Sequence, residues 1–260
     1  MTSERMPAAA PPTGTVLYVH GTGEQRIPEP EQRLAAALAT EPRLRGWAVE
    51  AVPWGELAPP VVDLSPVLPA GTASREAAAQ AVLAGVGWRL ATDVLERFRE
   101  PITRAASDFL ADAVFYLRDG DGDGIRALVR ERLLAAAERG PVVVAAHSIG
   151  GVVALDVLAR EPVPPAVRLL VTGGTQAPLL ALIGALEPIG PEGRAPFAPW
   201  RNLLNPRDPL AFRAAEVFAW AERPPRDHVL HEPRDLPGAH SAYFARPETF
   251  ALIADALAEG

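Results

Sequence analysis

The chain has 260 residues, 48% of them hydrophobic and 22% charged, which suits one folded domain of generous size and is too apolar for a disordered chain. A net charge of −7, from 25 basic and 32 acidic residues, speaks against nucleic acid as the main partner. Cysteine is absent, which excludes disulfides, thiolate nucleophiles and Cys-ligated zinc.

Residues 1–14 are expected to form a loose tail, followed by one domain over 15–260. The N-terminus lacks an apolar core of signal-peptide length, and no run reaches 18 consecutive apolar residues. No membrane span is therefore expected, and a cytoplasmic location is the default. "TVLYVHG" (15–21) is a β-branched and aromatic run ending in Gly, the pattern of a strand buried on both faces. "PEPEQRLAAALATEPR" (28–43) reads as a helix with Pro and acidic residues in its first turn. "WAVEAVPW" (47–54) reads as a second strand. Residues 55–72 are Pro-rich and irregular, and helical periodicity returns over 74–98 and 102–117.

"RDGDGDGI" (118–125) matches the opening of a calcium loop, but the twelfth position counted from Asp119 is Arg130 where a bidentate acid is required. A solvated turn, with Asp123 capping the next helix, is the favoured reading. A helix over 124–140, a strand over 141–146 and a helix over 150–161 follow. Strand-like runs at 167–174, 200–206 and 228–232 precede a closing helix at 247–260. Strands alternating with helices imply an α/β protein, with a mostly parallel central sheet covered on both faces.

In "PVVVAAHSIGGVVALDVL" (141–158) a lone Ser stands where an apolar strand gives way to an apolar helix. A hydroxyl at such a turn is raised above the sheet, over the N-terminus of the following helix, where backbone N–H groups can meet a developing oxyanion. The bend needs small residues two before and two after the Ser; here they are Ala146 and Gly150, with Gly151 beyond. A Ser that merely caps the helix is the alternative.

With this elbow the chain resembles the α/β-hydrolase superfamily, in particular lipase- and esterase-like members with an "HSxGG" elbow. Ala replaces the more usual first Gly. The resemblance runs from about residue 15 to the end, and implies an α/β-hydrolase fold with Ser148 as nucleophile and the N–H of Ile149 as one oxyanion donor. "HGTG" (20–23) follows the first strand, where the superfamily keeps its other donor; by resemblance this is the N–H of Thr22, with His20 and Gly21 shaping the loop. A phosphate-binding loop is the rival there, but its Lys and Gly spacing is missing.

A Ser hydroxyl needs a neighbouring base, and the base a carboxylate. Of the five His residues, His20 and His147 belong to the two motifs, with side chains expected to point away from the hydroxyl. His228 and His231 lie in or beside a strand. His240, in "LPGAHSAYF", follows the last strand on a loop, where the superfamily places its catalytic His; His231 is the lesser candidate. Between Ser and His in sequence, "NLLNPRDPLAF" (202–212) offers Asp208 on a turn braced by Pro206 and Pro209, at the sheet edge where open α/β sheets build sites. Asp156, Asp227 and Asp235 read as surface charges. The order Ser148, Asp208, His240 matches that of the superfamily.

The 125 residues from Gly23 to Ser148 exceed the roughly 70 that two helices and one strand require. The surplus, about 55–118, reads as a helical cap whose aromatic residues, Trp54, Phe115 and Tyr116 among them, would face an acyl group. The alternative is an insertion that only enlarges the core. "TQAPLLALIGALEPIGP" (175–191) is open between a pocket wall and a core helix.

The expected activity is hydrolysis of a small-molecule acyl ester, with neither metal nor organic cofactor required and the oligomeric state open. A thioesterase or acyltransferase on carrier-bound acyl groups is the second reading. A non-catalytic binding protein on a hydrolase scaffold is the third.

Overall fold

Strands with no solvent face are buried on both sides once they pair, as the four inner strands of the sheet are here, while its two edge strands are half-buried or exposed. The computed structural model describes residues 12–21, 30–57, 113, 115–117, 122–160, 162–187, 189–231 and 236–259. In chain order these form β1 (Gly14–Val19), α1 (Pro30–Leu38), β2 (Trp47–Ala51), α2 (Asp123–Arg139), β3 (Val142–His147) and α3 (Ile149–Arg160). They continue with β4 (Val167–Gly173), α4 (Ala177–Leu182), β5 (Trp200–Leu204), β6 (Arg226–Val229), α5 (Leu236–Ser241) and α6 (Pro247–Ala258).

The sheet order is β2-β1-β3-β4-β5-β6, and every pairing among the described residues is parallel. This is the α/β-hydrolase arrangement, with no antiparallel strand ahead of β1 among those residues. The β-strand side chains alternate between two cores. Leu17, Val19, Val144, Ala146 and Leu170 join one with α2, α3 and α4. Val16, Tyr18, Val143, Ala145 and Val171 join the other with α1 and α6. Period-two alternation thus buries both faces.

After β1 the chain moves to β2 on one side and returns to β3 on the other. The carboxyl ends of β1 and β3 therefore meet at the topological switch point, where such sheets leave a crevice. Residues 20–21 and Ser148 lie there.

The expected strands are all present, with ends shifted by at most three residues. The expected tail contributes to the sheet: the Thr13 N–H donates to Gly46 O at 2.8 Å, and Gly14 opens β1. Residues 1–11, and nearly all of the cap expected at 55–118, lie outside the described residues. Two aromatic residues assigned to the cap are core residues instead. Trp54 and Tyr116 are both buried in the cluster around α2 and α3, and Phe115 packs against it. Asp123 does not cap α2; it is the first helical residue, Gly122 precedes it without a side-chain cap, and its carboxylate pairs with Arg126 at 2.6 Å. Asp119 and Asp121 lie outside the described residues. The 175–191 stretch divides: Leu180, Leu186 and Ile189 are core, whereas Leu182 and Ile183 at the end of α4 are exposed.

Helix α3 packs against both the sheet and α2, and is buried from Ile149 to Ala159. Its single acid, Asp156, is therefore no surface charge. Its Oδ2 accepts from the Tyr116 hydroxyl at 2.7 Å and from Arg126 Nε at 2.9 Å, and its Oδ1 accepts from Arg160 Nε at 2.8 Å. A carboxylate is tolerated in this core because three donors replace its water. Burial, followed by the charge and hydrogen bond of Asp156, pushes the Tyr116 hydroxyl well above its ordinary pKa, so it remains a donor. Asp156→Ala is expected to cost about 3 kcal/mol, because it strands the buried phenol and leaves Arg126 without its inner partner. Urea unfolding would measure this, and a loss under about 1 kcal/mol would contradict the assignment.

Candidate active site

Ser148 is the turn between β3 and α3. It is the one non-glycine residue with positive φ (53°) among the described residues. The left-handed value reverses the chain within one residue and costs roughly 1 kcal/mol for a residue with a Cβ. The turn is held on both sides: the Ser148 N–H donates to Gly173 O at 2.9 Å, and Ser148 O accepts from the Gly151 N–H at 3.0 Å. Close packing explains the small residue two places on. A Cβ on Gly150 would stand 2.2 Å from Val19 O and 2.5 Å from His20 O. Helix α3 thus starts hard against the end of β1.

The three residues singled out from sequence come together at this turn. His240 Nε2 lies 3.0 Å from Ser148 Oγ, and His240 Nδ1 lies 2.9 Å from Asp208 Oδ2. With Asp208 charged, the proton of neutral His240 sits on Nδ1, and Nε2 presents its lone pair to the Ser148 hydroxyl. His240 differs from expectation in one respect: it belongs to the short helix α5, not to a loop. His231, the lesser candidate, is exposed beyond β6, where its carbonyl accepts from Arg246. His228, in β6, is pushed below its ordinary pKa by burial and then by the charges of Arg201 and Arg226.

Asp208 is buried, and three donors converge on its carboxylate. Oδ1 accepts from the Leu210 N–H at 2.9 Å; Oδ2 accepts from His240 and from the Tyr243 hydroxyl at 2.8 Å. Burial raises the Asp208 pKa, but His240, by hydrogen bond and charge, together with the Leu210 N–H and Tyr243, outweighs it and holds the carboxyl below its usual range. Gly174 completes the pocket. It has φ 60°, and a Cβ there would stand 2.8 Å from Asp208 Oδ2 and 3.1 Å from His240 Nδ1, so both the backbone and the space demand glycine.

The loop bearing Asp208 is fastened from below. Asn202 in β5 donates to Phe212 O at 3.0 Å and to Asp227 Oδ1 at 2.7 Å, and Asp227 accepts from the N–H groups of Ala214 and Ala215. Asp227 is thus a loop fastener rather than a surface charge. Asp235 lies outside the described residues.

Of the two expected oxyanion donors, Ile149 is the buried first residue of α3, and the N–H of a helix's first residue has no acceptor within the helix. Thr22 lies outside the described residues. Gly21 abuts Ser148: a Cβ on it would be 2.8 Å from Ser148 Cβ. His20 is fixed by Trp54, whose Nε1–H donates to His20 O at 3.0 Å and whose ring stacks on the imidazole at 5.1 Å. His147 goes beyond shaping its loop. Its Nε2–H donates to His240 O at 2.7 Å, and its ring lies 4.8 Å from that of His240.

Sequence reasoning missed Tyr243 and the His147 contact to His240. The signal for Tyr243 was its place three residues after His240, one helical turn on. His147 carried no signal beyond adjacency to Ser148.

No protein-family model and no curated protein matches the chain. Solved structures do. A protein of Xanthomonas campestris assigned to the α/β hydrolase superfamily is 21% identical, with TM-score 0.44, over 95% of this chain and 96% of that one. An α/β serine hydrolase without a lid, also from Xanthomonas campestris, is 15% identical, with TM-score 0.42, over 98% and 83%. The esterase domain of a Rhodothermus marinus protein is 17% identical, with TM-score 0.41, over 98% and 88%.

Proposed function

We propose that this chain, an α/β-hydrolase by fold, is a serine hydrolase that cleaves acyl esters through Ser148, His240 and Asp208. The observation that carries the reading is the unbroken row from Asp208 Oδ2 through the His240 ring to Ser148 Oγ, with steps of 2.9 and 3.0 Å. It stands above a helix N-terminus at the sheet's switch point. Each group is buried or part-buried and oriented by its neighbours, as a preorganised site requires.

Ser148 Oγ attacks the acyl carbonyl carbon as His240 Nε2 takes its proton. Asp208 stabilises the resulting imidazolium and keeps the Nδ1 proton in place. The carbonyl oxygen, now an oxyanion, lies toward the Ile149 N–H; the resemblance adds Thr22 as second donor. Collapse of the tetrahedral adduct expels the alcohol, which takes the proton from Nε2. Water then attacks the acyl-enzyme with His240 as base, releasing the acid and restoring Ser148. An apolar acyl group is the proposed substrate class, on the sequence alone, from Trp88, Phe98 and Phe109 in the segment before α2.

A fluorophosphonate probe tests the reading directly. It is expected to attach covalently to Ser148, located by peptide mass spectrometry, and to leave folded Ser148→Ala unmodified. A folded wild type that never reacts would support the non-catalytic scaffold instead. Turnover of p-nitrophenyl esters of increasing chain length, set against acyl-thioesters, separates the two acyl readings. A thioester preference of several orders of magnitude would make the enzyme a thioesterase.

A further inference from the structure

We infer that Tyr243 is a positioning residue for the triad, whose hydroxyl fixes the orientation and sets the basicity of the Asp208 carboxylate that supports His240. The inference rests on the serine-hydrolase reading above and adds a fourth member to its hydrogen-bonded row.

The direction of the Tyr243 hydrogen bond is settled by its other partner. The phenol oxygen lies 3.0 Å from the Asn205 backbone nitrogen and 2.8 Å from Asp208 Oδ2. A backbone N–H can only donate, so the phenol oxygen accepts from Asn205 and its own hydrogen goes to the carboxylate. Asn205 also ties this corner to Asp208 itself, because the Asp208 N–H donates to Asn205 O at 2.9 Å. The ring has little freedom to leave. A Cβ on Gly173 would lie 2.6 Å from Tyr243 Cβ, and one on Gly174 would lie 2.7 Å from Cε2. The far end of the residue is pinned as well, with Tyr243 O accepting from the Thr249 hydroxyl at 2.6 Å. Burial, then the Asp208 charge and hydrogen bond, drive the phenol well above its ordinary pKa, so it stays a donor through the neutral range.

Filling the core would need only the ring; the hydroxyl adds the chemistry. Tyr243 and His240 donate to the same oxygen, Oδ2, so each weakens what that oxygen offers the other. Removing the phenol hydrogen makes the carboxylate more basic and the imidazolium more stable. The protonated, inactive form of His240 then persists to higher pH.

The test is the pH dependence of the second-order rate constant for fluorophosphonate labelling of Ser148, measured on the full chain, with circular dichroism as a check of folding. Tyr243→Phe is expected to move the acid limb up by about 0.5–1 pH unit, as loss of one hydrogen bond to a carboxylate requires. Biosynthetic replacement of the three tyrosines by 3-fluorotyrosine strengthens the donor and is expected to move the limb down in the wild type. In the Tyr243→Phe background the same replacement should leave the limb where it is. A role in packing alone predicts neither shift. Coincident acid limbs in labelled, folded wild type, Tyr243→Phe and fluorotyrosine protein would overturn the inference; should Tyr243→Phe not fold, the fluorotyrosine arm decides alone. A wild type that does not label at all would sink the hydrolase reading, and this inference with it.

Discussion

Asp208→Asn is expected to lower ester turnover by about four orders of magnitude with the fold intact, as loss of the carboxylate does in known Ser-His-Asp hydrolases. The hydrogen bonds around the group explain why an isosteric amide fails. Oδ1 faces the Leu210 N–H, and Oδ2 faces His240 Nδ1 and the Tyr243 hydroxyl, so every direction is filled by a donor. An amide must place its NH2 against one of these. Placed toward His240, it donates to Nδ1 and forces the proton onto Nε2, where it blocks the Ser148 hydroxyl. Placed toward Leu210, it opposes a backbone donor and still lacks the charge that stabilises the imidazolium. Steady-state kinetics of the purified variant with a p-nitrophenyl ester checks this, alongside a melting curve. A loss under tenfold would mean that Asp208 is not the partner of His240.

The second large effect is on stability. Gly150→Ala is expected to cost about 3 kcal/mol or more, lowering the melting temperature by roughly 6–12 °C in a chain of this size. The added methyl would stand 2.2 Å from Val19 O and 2.5 Å from His20 O, and backbone carbonyls in a parallel sheet cannot swing aside as a side chain can. Either α3 lifts off the sheet or the end of β1 moves. Both displace the His20–Gly21 corner from Ser148, so variant that survives should also label more slowly with the fluorophosphonate. Scanning calorimetry and labelling rates on one preparation measure both effects. A variant as stable and as reactive as the wild type would show that the approach of α3 to β1 is looser than the distances indicate.

The strands were legible because a parallel sheet covered on both faces writes itself as unbroken apolar runs, as "VVVAA" before the elbow does. The candidate trio Ser148, Asp208 and His240 was legible because Ser148 and Asp208 follow strand ends beside turn-forming residues and His240 comes after the last strand. Asp156 was misread for a physical reason. A carboxylate inside an apolar helix looks solvent-facing when its neighbours in sequence are the only context, and its donors, Tyr116 and Arg126, come from elements 30 to 40 residues away. Arg160 was one turn along, yet an i,i+4 pair does not reveal burial. Trp54 was misplaced in the same way: nothing local says that an indole after a strand will hold His20 rather than a substrate. Tyr243 and His147 act through contacts to residues 35 and 93 positions distant, which periodicity cannot reach.

The backbone at Ser148 sets two demands on one residue against each other. Its φ of 53° is a conformation that glycine adopts freely and every side-chain-bearing residue resists. A sequence drifting toward greater thermodynamic stability would therefore be drawn to glycine at the very position whose hydroxyl the proposed chemistry cannot lose. Serine at this position accepts a local backbone cost, and on the proposed reading the elbow is where the chain gives up stability for activity.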